Sequence, residues 1–328
     1  MRPAHRKKTP LPPEGPDPTV MPFIDNAQVR ALLRPADAIA SIEQAFAAFA
    51  TGDAAVQERR RTAVGQTKLS TMGAVLKEQG VAGAKVYTTI NGAFRFVVLL
   101  FDAESGAPLA CIEADAFTEL RTACVTAIVA RLGLTETARE ALVFGTGVQA
   151  RSHIKLLSAD PRLARFQVVN RGDASGFCED MSRETGRPVV SCDDVEDALG
   201  NADLVVTATR TAAPVVRGAA LKLGSFVAAI GSTLPSHAEV DTETVRRAAS
   251  IIVEWQPQTL AEAGDLVRAD SEGALDKNRI VELGDIVAGK ARARRAPDEV
   301  VLFESVSIGL EDVAVAAAVY RAARQMAC

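Results

Sequence analysis

Hydrophobic and polar positions change rhythm near the middle of the chain. From Asp25 to Ala50, Val29, Leu32, Leu33, Ile39, Ile42 and Phe46 recur near helical spacing, which predicts a helix. Two apolar-rich runs follow, residues 84–90 and 94–101, separated by Asn91-Gly92. Asn-Gly between such runs predicts a β-hairpin, because both residues tolerate the positive φ of a tight turn. A second turn at Ser105-Gly106 precedes a short strand over residues 109–112. This first region reads as helix followed by antiparallel sheet. Arg121 then starts a helical pattern carried by Val125, Ile128, Val129 and Leu132.

Beyond about residue 135, short apolar runs alternate with helical stretches. Strands are predicted at 141–144, 166–169, 189–191, 204–207, 226–230, 251–253 and 300–303, and helices at 148–157, 176–184 and 195–199. That alternation implies βαβ units and a parallel sheet. An Ala-rich helix over 310–326 closes the chain. The predicted fold is α/β: a Rossmann-type parallel-sheet domain plus an α+β domain.

At 328 residues, two domains are the expectation. A 48% hydrophobic and 24% charged composition suits a globular protein with a real core, built mainly from aliphatics since 5% is aromatic. The net charge of −4 supplies no cationic face for a nucleic-acid backbone, so no nucleic-acid partner is expected. Five scattered cysteines without a Cys-x-x-Cys pair, and three distant histidines, argue against a disulfide framework and a metal site. The longest apolar runs, 96–101 and 313–320, fall short of the roughly 20 residues of a membrane span. With no secretory apolar segment either, a cytoplasmic location without membrane association is expected. The first 18 residues hold six of the 15 prolines beside Arg2, Arg6, Lys7 and Lys8, so residues 1–20 are expected to be a disordered tail.

The most specific local signal is Gly145-Thr146-Gly147-Val148-Gln149-Ala150, directly after a predicted strand and opening a predicted helix. Gly145 permits the tight turn, Gly147 lets the backbone approach a pyrophosphate, and Ala150 allows close helix packing. Free N–H groups at the helix start then face the phosphates. At the end of the next strand, an acidic residue would bind the adenosine ribose of NAD. Asn170-Arg171 stands there instead, and Arg171 suits the 2′-phosphate of NADP. NADP is therefore preferred over NAD as the expected cofactor.

Arg61 closes the run Arg59-Arg60-Arg61, Lys85 opens the strand before the hairpin, and Arg121 begins a helix. An amine among Val81-Ala82-Gly83-Ala84-Val86 is desolvated, which lowers its pKa and suits proton transfer. Spacing alone equally fits solvated charged faces.

The segments Gly83-Ala84-Lys85, Leu120-Arg121-Thr122-Ala123, Phe144-Gly145-Thr146-Gly147-Val148-Gln149, Gly231-Ser232-Thr233-Leu234-Pro235 and Glu262-Ala263-Gly264-Asp265 resemble, in order, those of the ornithine cyclodeaminase/mu-crystallin family. The resemblance covers residues 21–328. It implies a homodimer with a substrate and dimerisation domain over 21–134, completed by about 311–328, and a dinucleotide-binding domain over 135–310. It implies Arg61 and Arg121 on the substrate carboxylate, and Lys85 at the carboxylate or the amine or imine nitrogen. Thr122, Gly145, Thr146, Gly147, Val148, Gln149, Asn170, Arg171, Thr207, Thr209, Gly231 and Ser232 are the expected cofactor-binding residues. Two positions depart from the cyclodeaminase pattern: Thr233 replaces an aspartate and Ser70 a glutamate that grasps the distal amine of ornithine. A threonine cannot ionise in place of that aspartate. The expected activity is thus NAD(P)H-dependent reduction of a small α-imino acid, such as the cyclic ketimine Δ1-pyrroline-2-carboxylate, or amino-acid oxidation. The alternatives are an ornithine or lysine cyclodeaminase and a nucleotide-dependent binding protein.

Overall fold

A computed structural model describes residues 21–326, so the tail expected at 1–20 and the last two residues lie outside the described part. The first region contains β1 (Phe23–Ile24), α1 (Asn26–Leu32), α2 (Pro35–Thr51), β2 (Ala54–Val64), β3 (Thr67–Leu76), β4 (Val81–Ile90), β5 (Ala93–Asp102), β6 (Pro108–Glu113) and α3 (Asp115–Gly133). The second continues with β7 (Glu140–Phe144), α4 (Val148–Leu157), β8 (Arg165–Val169), α5 (Ser175–Thr185), β9 (Val189–Ser191), α6 (Val195–Asn201), β10 (Leu204–Thr207) and β11 (Phe226–Ala229). It ends with α7 (Thr242–Arg247), β12 (Ala248–Val253), α8 (Gln256–Glu262), α9 (Gly264–Ser271), β13 (Ile280–Glu282), α10 (Leu283–Val287), β14 (Val300–Glu304) and α11 (Gly309–Met326).

Six strands form one sheet in the order β1-β6-β5-β4-β3-β2, antiparallel except where β1 runs parallel to β6. The other sheet is parallel throughout, in the order β13-β12-β14-β11-β10-β7-β8-β9. Its central strands are buried on both faces, which is why they read as unbroken apolar runs. Helix α11 returns to the first sheet: Val313 packs on Gly83, and Ser41 Oγ of α2 donates to the Ala314 carbonyl.

Three expectations need correction. The single helix from Asp25 is two helices, because Pro35 forces Arg34 into extended backbone. Lys85 lies mid-strand in β4 and Arg121 mid-helix in α3, since small residues extend β4 back to Val81 and Asp115 begins α3. The long strands β2 and β3 escape the pattern because one face of each is solvated and β2 carries three consecutive arginines.

Candidate active site

Strand register arranges the first sheet into rows on one face. Met72 pairs with Lys85 and Lys85 with Val98, Arg61 pairs with Ser70, Ser70 with Tyr87 and Tyr87 with Phe96, and Lys68 pairs with Thr89 and Thr89 with Phe94. Alternation of side chains puts all of these on the same side. The deep end of that face is covered by α11, and the outer rows open on a cavity of about 720 Å³. Its opposite wall is the carboxyl edge of the parallel sheet, including Gly147, Val148, Gln149, Thr209 and Gly231.

Lys85 sits at the bottom, 1% exposed. Its Nζ donates to Asp312 Oδ1 at 2.9 Å and Thr118 Oγ1 at 2.8 Å, and lies 4.4 Å from the Phe96 ring centre. Arg121 donates from Nε to the same Asp312 oxygen at 3.1 Å, and from Nη1 to Glu311 Oε2 at 2.9 Å and to Ser307 Oγ. Burial lowers the Lys85 ammonium to about 8, against the opposing pull of Asp312. Burial raises Glu311 to about 8. Burial acts upward on Asp312 as well, but Arg121 and Lys85 outweigh it and hold that carboxylate below its ordinary range. The deep wall therefore sets one permanent cation, Arg121, and one ammonium lowered to about 8, Lys85, against one firmly ionised acid, Asp312.

Arg61 is not alone on its carboxylate. Glu262 takes Arg61 Nη1 on Oε1 and Arg59 Nη1 on Oε2, the latter at 2.6 Å. Arg59 also donates from Nη2 to the carbonyls of Val306 and Ser307, at 2.7 and 2.8 Å. Reading the sequence passed over Arg59, Thr118, Ser307, Glu311 and Asp312. A signal existed in the spacing: residues 59 and 61 share a strand face, and the pair Glu311-Asp312 interrupts an otherwise apolar helix start.

On the opposite wall, Gly145 has φ +110°, and a Cβ there would stand 2.8 Å from the Ala208 carbonyl oxygen. Only glycine serves at that turn. Gly147 caps α4 with no side-chain hydrogen bond and has open space where a Cβ would point. The buried Gln149 Oε1 has no partner. An open glycine and the free N–H groups that start α4 fit a dinucleotide pyrophosphate. Of the residues expected to bind the cofactor, Thr122, Gly147, Val148, Gln149, Thr209 and Gly231 line the cavity. Gly145, Thr146, Asn170, Arg171, Thr207 and Ser232 do not: Thr207 Oγ1 donates to Glu239, and Ser232 Oγ to the His237 carbonyl. Glu239 also accepts N–H groups of Thr209 and Gly231, tying together the loops after β10 and β11. Asn170 and Arg171 are exposed past β8.

Ser70 and Thr233 both line the cavity, and Thr233 offers its carbonyl to Arg61 Nη2 at 3.4 Å. His153 is buried between Thr126 Oγ1 and the Gln149 carbonyl, and burial lowers it to about 4. It joins α3 to α4 as a neutral ring.

Residues 20–326 match the family model described as the ornithine cyclodeaminase/mu-crystallin family. A Δ1-pyrroline-2-carboxylate reductase of Bacillus cereus is 31% identical over 238 residues, 72% of each chain. The crystal structure of a probable ornithine cyclodeaminase from Bordetella pertussis superposes with a TM-score of 0.90 at 44% identity, covering 94% of this chain and 98% of that one. A Thermococcus litoralis Δ1-pyrroline-2-carboxylate reductase, solved with NADH and L-proline, superposes with a TM-score of 0.88 at 26% identity, covering 93% and 98%. The two-sheet architecture, the glycine turn and these likenesses agree: the chain belongs to the ornithine cyclodeaminase/mu-crystallin family.

Proposed function

We propose that the protein is an NAD(P)H-dependent reductase of a small α-imino acid, with Δ1-pyrroline-2-carboxylate as reference substrate and amino-acid oxidation as the reverse reaction. The observation that carries this reading is the buried Lys85, set beside Arg121 and facing the dinucleotide wall across one cavity. The nicotinamide, when bound, exchanges a hydride with the α-carbon. Arg61 and Arg121 hold the substrate carboxylate, and their carboxylate partners behind the wall fix the guanidinium planes beforehand. Lys85 Nζ holds the proton that the substrate nitrogen takes up during reduction. Thr118 Oγ1 and Asp312 keep that ammonium pointed into the cavity. Phe94, Phe96 and Tyr87 exclude water from the site.

The cyclodeaminase reading requires a free carboxylate for the distal amine of a diamino acid. Among the described residues no Asp or Glu lines this cavity, and both Glu262 oxygens are occupied by arginines. Following absorbance at 340 nm with Δ1-pyrroline-2-carboxylate, pyruvate plus ammonia, and ornithine tests the choice. Imine reduction without ammonia release from ornithine is the expected result; proline and ammonia from ornithine with catalytic NAD would overturn it. Cofactor binding without turnover of any of these would support the binding-protein alternative.

NADP is the preferred cofactor in this reading, because Arg171 is exposed at the strand end with no ion pair among the described residues. The chain acts in the cytoplasm as a homodimer. Val64, Leu69, Val75 and Ile90 are exposed on the face of the first sheet turned away from the cavity, and a second copy would cover them. Leu69→Glu is expected to yield monomers by light scattering.

A further inference from the structure

Among the described residues, six cationic side chains line the cavity, Arg59, Arg61, Lys68, Lys85, Arg121 and Arg210, and no carboxylate does. The inner four meet Glu262, Glu311 or Asp312 behind the wall. Lys68 and Arg210 differ: both are exposed at the mouth, and neither forms an ion pair among the described residues. They approach from opposite walls. Lys68 belongs to the outermost row of that face, beside Thr89 and two strands from Phe94, and the Arg210 guanidinium reaches across the cleft to lie 5.3 Å from the Phe94 ring centre. Lys68 stands two steps from the Lys85 row, each step along the strands being about 6.7 Å, with the single row of Ser70 and Tyr87 between them. Two unneutralised cations on opposite walls of one cavity mouth raise the local concentration of an anion there.

We propose that Lys68 and Arg210 form a second anion subsite, and that the imino acid best accepted carries an acidic group on its side chain. This rests on the reductase reading above. The α-carboxylate occupies the Arg61–Arg121 end, the imine nitrogen faces Lys85, and the distal carboxylate lies toward the mouth. The ligand class is a dicarboxylic 2-imino acid, open-chain or cyclic. The same chemistry has a second source, the phosphates of the dinucleotide, so the test separates the two.

Imines formed from oxaloacetate or 2-oxoglutarate with ammonia are compared with that from pyruvate and with Δ1-pyrroline-2-carboxylate. The expected wild-type preference in kcat/KM for the dicarboxylic imines is about ten- to a hundredfold, the range of one or two charged hydrogen bonds. It should collapse toward unity in the double variant Lys68→Met/Arg210→Met. Binding is measured separately on the NADH-loaded protein with succinate and propionate as unreactive probes. Succinate should bind the wild type at least tenfold more tightly, and the double variant should lose that margin. Preference for the monocarboxylic imines, with propionate bound as well as succinate, overturns the subsite and leaves the reductase reading intact. No turnover of any imine defeats the reductase reading, while the succinate margin still decides the subsite. A loss of NADH or NADPH affinity without substrate, with the succinate margin retained, assigns the two cations to the dinucleotide and overturns the proposal.

Discussion

Lys85 concentrates the chemistry at the scale of a single residue. Its ammonium is buried, yet hydrogen-bonded to one ionised acid and one hydroxyl, so its proton is held at about 8 rather than near the usual value for lysine. Reduction needs the protonated amine and oxidation the neutral one. Imine reduction is therefore expected to decline above about pH 8, and amino-acid oxidation to rise through the same range, in kcat/KM profiles. Lys85→Ala should lower imine turnover by roughly 100-fold or more while nicotinamide-nucleotide affinity, read by fluorescence titration, is retained. Lys85→Arg should not restore the rate, because a guanidinium stays protonated and does not fit the Thr118–Asp312 notch. Arg171→Ala should weaken NADPH by about 1.5–3 kcal/mol and leave NADH nearly unchanged. Equal loss for both would place Arg171 on the adenine instead.

Individual elements bring these residues together by close approach. The start of α11 lies so near β3 that a Cβ on Gly309 would stand 2.6 Å from the Gly73 carbonyl oxygen and 2.7 Å from its nitrogen. That contact sets where Glu311 and Asp312 meet Arg121 and Lys85. Gly309→Ala must move the helix or the strand, neither of which is a flexible side chain. Its expected cost is about 2–3 kcal/mol, with reduced activity even where the protein stays folded, read by denaturant titration and turnover. The preceding Ser307 has φ +60°, uncommon for a non-glycine residue, and holds Arg121, Arg59 and Glu254 through its side chain, carbonyl and N–H. Helix α4 and the glycine turn before it were legible beforehand because their chemistry is local. The turn into α11 was not, because its role depends on residues more than 180 positions away.

Across the whole molecule, buried acids link stability to pH. Glu304 is fully buried with neither side-chain oxygen partnered, and Asp265 Oδ2 is unpartnered as well. Burial, then the neighbouring Asp265 and Glu239 carboxylates, raise Glu304 well above the ordinary carboxylate range. An acid whose folded value is raised contributes stability that is present below its unfolded value, near 4.3, and lost as pH rises toward the folded value. Glu304→Gln should thus gain stability relative to the wild type between pH 5 and 9, by about 1 kcal/mol or more, or roughly 2–4 °C in Tm. A constant difference across that range would show that folding does not raise the Glu304 value. The glycine turn, the alternating parallel-sheet strands and the Asn91-Gly92 hairpin were determined by the sequence itself, since each depends on neighbours within a few positions. Lys85, Arg61 and Arg121 stood out as cations in unusual surroundings, but nothing local separated them from solvated charges. The tertiary structure decided their partners: Asp312 for Lys85 and Arg121, Glu262 for Arg59 and Arg61. Those pairs join residues far apart in the chain, and only the packing of two sheets and a returning helix, which excludes water and makes each charge need its counterion, brings them within hydrogen-bond distance.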